Sequence, residues 1–335
     1  MAMRKEIIRY FILMLLTVAT LYSEAQQLAQ YSQYLHNPIL LNPATAGINN
    51  NFNIDLSYRN QWTGFNEAPK TFYFSVNATL NREKSSSSLR LSRPGYTKSK
   101  KKERFVTHGL GGYIVADTYG AFSNTSGYLS YAVHLRITHS IKLALGLSTG
   151  LSNWKLNVTD LGVSDQNDET YNYLTSQDFS KTFFDVQGGL WMYSESFYLG
   201  YSTAQLLQNQ IRAVNVPATA KINVHHFITG GYKFKLGRDL SITPSVLLKY
   251  MTPTPVSVDV TTKVNFREMI WGGLSYRHKD AVVVFLGYEL NKMIKIGYSY
   301  DITLSDIRKY SSGSHEIILG AKLFKTAQKS SISFL

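Results

Sequence analysis

The chain has no cysteine in its 335 residues. That excludes structural disulfides, thiolate zinc sites and cysteine nucleophiles, so a secreted protein of this size is stabilised another way. Proline is scarce, at 8 residues, and only 17% of residues are charged, whereas Tyr (23), Phe (17) and Gly (23) are abundant. Few charges with many aromatics argue against a disordered chain and suit sheets with one apolar face and aromatic rims. Beyond the N-terminus there is no run of 18 consecutive apolar residues, which excludes transmembrane helices. The formal charge is +13, but residues 82–104 hold nine Lys/Arg against two Glu, a local +7 and over half of the excess. The rest of the mature chain is nearly balanced, so nucleic acid is not indicated as a partner.

The N-terminus reads as a signal peptide over residues 1–25. Arg4, Lys5 and Arg9 precede an apolar stretch, residues 10–22, and Ser23 and Ala25 take the small-residue positions before a cut, with Gln26 as the expected mature start. The apolar stretch is too short for a membrane anchor, and no charged stop-transfer segment follows it.

From residue 51 onward the dominant period is two. Leu129, Tyr131, Val133, Leu135 and Ile137 alternate with Tyr128, Ser130, Ala132, His134 and Arg136. Residues 141–151 and 256–266 repeat the pattern, the latter with Val258, Val260 and Val264 opposite Asp259, Thr261 and Lys263. A soluble sandwich also alternates. Three features favour a transmembrane antiparallel β-barrel: strand lengths of about 8 to 13 residues, one face of Gly, Ser, Thr, Lys and Asp suited to a wet lumen, and aromatics near strand ends. Closure follows because lipid offers no partner for an open backbone edge.

Fourteen strands are expected, at 51–60, 70–80, 105–117, 125–138, 140–153, 182–193, 196–203, 224–236, 239–250, 256–266, 269–278, 281–290, 293–300 and 314–324. Even-to-odd connections are short, as periplasmic turns are, apart from the basic loop 81–104; the long segments 154–181, 204–223 and 301–313 fall on the outer side. The expected organisation is a signal peptide (1–25), a short structured periplasmic lead-in (26–50) that tucks under or into the barrel, the barrel (51–324) and a C-terminal tail (325–335).

Motifs for chemistry are weak. "GLSTG" at 146–150 matches a nucleophile pattern, but Ser148 sits in an alternating strand and not at a strand-to-helix elbow. His225 and His226 are adjacent in a strand, so they face opposite ways and cannot share a metal. His134 reads as a solvated lumen side chain, with a carboxylate partner as the other reading. "DQNDET" at 165–170 places oxygens at alternate positions, but Thr170 occupies the glycine position of a calcium loop. No catalytic residue, metal or cofactor is expected. The basic loop, with Lys98, Lys100, Lys101, Lys102 and Arg104, reads as a solvated loop or a contact for an acidic partner or anionic lipid.

The segment "YSQYLHNPILLNPATAG" (31–47) fits neither period. Asn37-Pro38 and Asn42-Pro43 fix φ at each proline and bias each asparagine away from helix, and Gly47 can supply a reversal before the first strand. Together with "YRNQWTGFNEAPKTFYFSV" (58–76), it resembles the N-terminal signature of the PorP/SprF family. "SESFYLGYSTAQLLQ" (194–208), "HHFITGGYKF" (225–234), "SITPSVLLKY" (241–250), "GLSYRHKDAVVVFLG" (273–287) and "IGYSYDITLSDIRKYSSGSHEIILG" (296–320) follow in the family's order. The basic segment 82–104 and the tail after Phe324 look longer than the family's usual form.

The resemblance implies an outer-membrane barrel of the type IX secretion and gliding machinery. It would be non-enzymatic, would support secretion or surface display of adhesin-like cargo, and would have periplasmic and outer-membrane proteins of that system, with outer-membrane lipid, as partners. It also implies an ordered 31–47 segment with Tyr31, Tyr34 and Leu35 packed. Candidate partner-contact or structural residues are Asn37, Pro38, Asn42, Pro43, Gly47, Tyr58, Arg59, Asn60, Gln61, Trp62, Gly64 and Phe65. Arg59 and Asn60 are expected to hydrogen-bond inside the mouth, and Trp62 and Phe65 to anchor at the interface or loop. The alternative is a passive solute channel, because a porin needs the same polar inner face. Under the first reading cargo is contacted at a rim, since fourteen strands leave little room to pass a folded domain.

Overall fold

The computed structural model describes residues 29–49, 51–65, 67–80, 105–157, 179–212, 219–291 and 293–323. The signal peptide, the basic loop 82–104, the "DQNDET" stretch and the C-terminal tail lie outside the described residues.

Period-two alternation produces a closed, fourteen-stranded antiparallel barrel. The strands are β1 (Phe52–Asn60), β2 (Lys70–Thr79), β3 (Val106–Tyr119), β4 (Phe122–Arg136), β5 (Lys142–Leu156), β6 (Phe179–Tyr193) and β7 (Phe197–Ala204). After β7, a small hairpin of β8 (Gln210–Arg212) and β9 (Thr219–Lys221) stands apart from the wall. The wall resumes with β10 (His225–Tyr232), which the short β11 (Phe234–Leu236) continues past Lys233. It ends with β12 (Leu240–Met251), β13 (Ser257–Phe266), β14 (Ile270–Arg277), β15 (Ala281–Leu290), β16 (Ile294–Thr303) and β17 (Ser314–Leu323).

Sequence neighbours pair throughout the wall, β7 pairs with β10, and β1 closes on β17 with Phe52 opposite Leu323 and Asn60 opposite His315. The first and last strands of the wall thus pair with each other, as lipid requires of a sheet that crosses it. On β1, Asn53, Asp55, Ser57 and Arg59 face inward and are buried, while Tyr58 on the other face is exposed. The outer surface is a band of exposed Leu, Ile, Val, Phe and Tyr, including Leu129, Leu147, Leu274 and Leu286. Among the described residues no helix is long and apolar enough to cross a membrane.

The expected strand boundaries hold to within three residues, apart from the break at Lys233. The wall over β3–β6 rises further toward the loop end than expected, and Gly120-Ala121 joins β3 to β4 as a tight turn, with φ of 56° at Gly120.

The lead-in takes the second of its two expected placements, under or into the barrel: residues 29–49 lie inside it. One feature differs from expectation. The polar inner face is not the wall of an open wet lumen. It packs against this inserted segment, and Tyr34, Leu35, Ala44 and Ile48 join Trp191, Tyr193, Tyr198, Phe227 and Leu247 in one buried cluster. The physical reason is that the wall offers unpaired polar groups and bare glycine backbone at positions that a short, kinked peptide can match.

Candidate functional site

The inserted segment is built from three single-turn 3-10 elements, Tyr34–His36, Pro38–Leu40 and Pro43–Thr45. Each proline opens a turn, where its missing N–H costs nothing. Asn42 caps the third turn, its Oδ1 accepting from the Ala44 N–H at 2.9 Å. Single turns leave many backbone groups unpaired, and the barrel wall supplies their partners.

The segment descends the lumen from the strand ends that carry the long loops to those that carry the tight turns. At the loop end, the Ser32 N–H donates to Glu316 Oε2 at 2.7 Å and its hydroxyl donates to the Asp301 carboxylate. Arg59 binds the same group: its guanidinium donates to Asp301 at 2.9 Å and to Ser32 Oγ at 2.5 Å, and lies 3.5 Å from Glu316. Arg277 approaches Asp301 at 3.6 Å and donates to Gln30 Oε1 at 3.1 Å. Arg59, Asp301 and Glu316 are each no more than 2% exposed. Charges so buried persist only when paired and hydrogen-bonded.

Midway, Asn37 Nδ2 donates to Ser75 Oγ at 2.8 Å, and Ser202 Oγ donates to the Leu41 carbonyl at 2.5 Å. Asn42 Nδ2 donates to two wall carbonyls, Leu190 at 3.0 Å and Tyr201 at 3.1 Å. Lys295 Nζ donates to the His36 carbonyl at 3.1 Å. The His36 ring lies against Trp271 with centroids 4.7 Å apart. Burial first, and then the charges of Lys263, Lys295 and Lys322, hold its imidazole well below the usual histidine range.

At the turn end, His134 Nε2 bonds the Ala46 carbonyl at 2.7 Å, and its Nδ1 meets the Tyr193 hydroxyl at 2.9 Å. His134 is thus neither solvated nor paired with a carboxylate; it clamps the segment. The Gly47 N–H donates to Asn77 Oδ1 at 3.0 Å, and Gly47 turns the chain with φ of 69°. Ser148 pairs with Ser130 across the wall at 2.5 Å, so the "GLSTG" serine is a strand side chain.

Glycines on the inner wall let the segment approach. A Cβ added at Gly109 would lie 1.9 Å from the Ala46 oxygen, at Gly146 2.2 Å from the Ala44 nitrogen, and at Gly189 2.1 Å from Asn42 Oδ1. No side chain fits at such distances, so β3, β5 and β6 present a bare track under residues 42–46.

The structure brings Asn37, Pro38, Asn42, Pro43, Gly47 and Arg59 together in the lumen. It does not bring in the rest of the second motif. Asn60 falls on the face opposite Arg59, and Tyr58 points outward at 47% exposure. Gln61 is buried at the start of the β1–β2 loop, and its N–H donates to the Pro69 carbonyl at 2.8 Å. The Trp62 N–H donates to Ser314 Oγ at 3.0 Å; Trp62 has φ of 52° and Gly64 φ of 96°, and Phe65 is exposed. These residues shape a loop. Sequence reasoning missed Ser32, Asn77, His134 as a clamp, Asp301, Glu316 and the three track glycines. Glu316 and Asp301 carried a signal, as lone acids on otherwise uncharged stretches of alternating strands.

Above the segment, at the loop end, lies a cavity of about 70 Å³ lined by residues that include Tyr31, Tyr113, Asp117, Trp154 and Gln187. Among the described residues no cluster of three or more His, Cys, Asp or Glu is arranged to hold a metal.

The family model described as type IX secretion system membrane protein PorP/SprF matches residues 23–321. Among solved structures, the CymD monoaromatic hydrocarbon channel aligns with a TM-score of 0.50 at 9% identity, over 89% of this chain and 94% of that one. The Ralstonia pickettii toluene transporter TbuX aligns with a TM-score of 0.48 at 10% identity, over 85% and 92%. At such identity CymD is similar in barrel fold alone. No curated protein matches the chain.

Proposed function

The chain belongs to the PorP/SprF family of type IX secretion membrane proteins, and from that premise we propose that it is a plugged scaffold of the secretion machinery in the outer membrane. It supports secretion or surface display of adhesin-like cargo by binding and guidance, with no bond made or broken. The observation that carries this reading is the occupied lumen: residues 29–49 cross it and are tied to the wall at both ends. A barrel filled by its own chain has no path for a polypeptide or for bulk solute. That supports contact with cargo and with periplasmic partners at the rims, and it weighs against a passive solute channel. In this orientation the tight turns face the periplasm, after export directed by residues 1–25, and the long loops face outward.

The experiment is deletion of the gene, followed by mass spectrometry of the secreted and surface proteins. Loss of one or a few large surface proteins, with small-solute uptake intact, is expected. An unchanged surface with altered uptake would return the channel reading.

A further inference from the structure

The turn-end half of the lumen holds a group of lysines, of which Lys295 bonds the His36 carbonyl of the inserted segment. Lys295 and Lys322 have carboxylate partners, Asp55 at 2.7 Å and Glu289 at 2.8 Å. Lys263 on β13 is 3% exposed, and the charges that act on it are those of Lys295, Lys322 and Lys233, opposed by Glu289, which Lys322 holds. Among the described residues no carboxylate comes within ion-pairing distance of Lys263, and no acceptor is hydrogen-bonded to it.

Its surroundings are equally unpaired. Thr243 lies opposite Lys263 on β12, Asn265 is two residues along on the same face, and Trp271 lies opposite Asn265 on β14. The His36 ring packs against Trp271. Thr243 Oγ1, Asn265 Nδ2, Trp271 Nε1 and His36 Nε2 are all buried without a hydrogen-bond partner. Asn265 Nδ2 and Trp271 Nε1 can only donate, and Lys263 Nζ, Thr243 and His36 can do so. Orphaned donors are costly one at a time, and a buried ammonium without a counter-charge is costlier still. Water satisfies donors but does not neutralise them.

We propose that Lys263, Asn265, Trp271, Thr243 and His36 form a binding site for a small oxyanion of the phosphate class, reached from the turn end of the barrel. A compact anion with several acceptor oxygens would supply the acceptors these donors lack, with a charge-assisted bond to Lys263. The site lies inside the wall, so a free anion reaches it and a lipid headgroup outside the strands does not.

The test is isothermal titration of the purified full chain, in detergent and phosphate-free buffer at pH 7, with inorganic phosphate. One site is expected. Its affinity should fall at least tenfold in Lys263→Met and severalfold in Asn265→Leu, and should be unchanged in Lys235→Gln, whose side chain is 60% exposed on β11. Asn265→Leu keeps the test open if Lys263→Met does not fold, which heat-modifiability on a gel reports. Absence of binding to the wild type would overturn the proposal, leaving a site that holds water only. So would unchanged affinity in both lumen variants, binding of phospholipid vesicles without binding of inorganic phosphate, or binding of an acidic peptide but not phosphate.

Discussion

The two ends of the lumen treat buried charge in opposite ways. At the loop end, Arg59, Arg277 and Lys249 pair with Asp301, Glu316 and Asp259, and Ser32 of the inserted segment completes the network. At the turn end, Lys263 is as deeply buried, and among the described residues no carboxylate is ion-paired to it, Glu289 being held by Lys322. That network is a clasp, because Arg59, Asp301 and Glu316 each lose Ser32, and Arg277 loses Gln30, if the segment leaves. An unbalanced cation is a vacancy in the electrostatics and contributes nothing to holding the segment in place. The lumen therefore fastens the segment by ion pairs and Ser32 at its loop end and by His134 and Asn77 at its turn end, where Lys263 takes no part in the fastening.

The sharpest contrast comes from removing one cation at each end. Arg59→Met leaves Asp301 and Glu316 buried with a missing partner and should cost about 3–5 kcal/mol, read as a lowered thermal unfolding midpoint and exposure of residues 29–49 to protease. Lys263→Met in phosphate-free buffer should have the opposite sign, with a midpoint unchanged or raised, because it removes an uncompensated charge. Equal destabilisation by the two variants would erase the distinction between clasp and vacancy.

A smaller effect is expected from steric exclusion. Gly146→Val places carbon where the Ala44 backbone sits and should cost about 1–3 kcal/mol. Protease access to residues 29–49 should rise while the barrel stays folded. Asn42→Ala removes a cap and two bonds to wall carbonyls. Its cost should be about 1–2 kcal/mol, with the same readout.

The smallest effect is pH-dependent. The folded His36 pKa lies below its unfolded value, so the neutral form is favoured in the docked state. The stability this contributes is fully present above about pH 6.5 and is lost as pH falls toward the folded value. Docking of the segment should weaken on acidification, and His36→Gln should flatten that part of the profile in a protease-protection titration. An identical profile in the variant would assign the acid sensitivity to the carboxylates of the clasp.

The barrel was legible because alternation is written locally. Val258, Val260 and Val264 against Asp259, Thr261 and Lys263 declare a two-faced strand without knowledge of its neighbours. The loop-end parts of β4 and β5 were less legible, because Ser123, Thr125 and Asn153 put polar groups on the outer face there and blur the alternation. The hairpin of β8 and β9 sits in a polar stretch with too few residues to show a period.

The destination of residues 31–47 was the least visible feature. The Asn-Pro pairs announced a kinked, non-helical peptide, but its receptor is a row of Gly109, Ala132, Gly146 and Gly189, far apart in sequence and adjacent only through strand register. The clasp was half visible for the same reason: Arg59 stood out in its motif, whereas its partners Asp301 and Glu316 lie some 240 to 260 residues away.

The central claim is that the chain closes its own lumen. Single-channel recording of the purified protein in planar bilayers tests it most directly. The account predicts no steady open conductance from the intact chain, and conductance appearing when Gly146→Val displaces the segment. A large, steady conductance from the intact chain would contradict it.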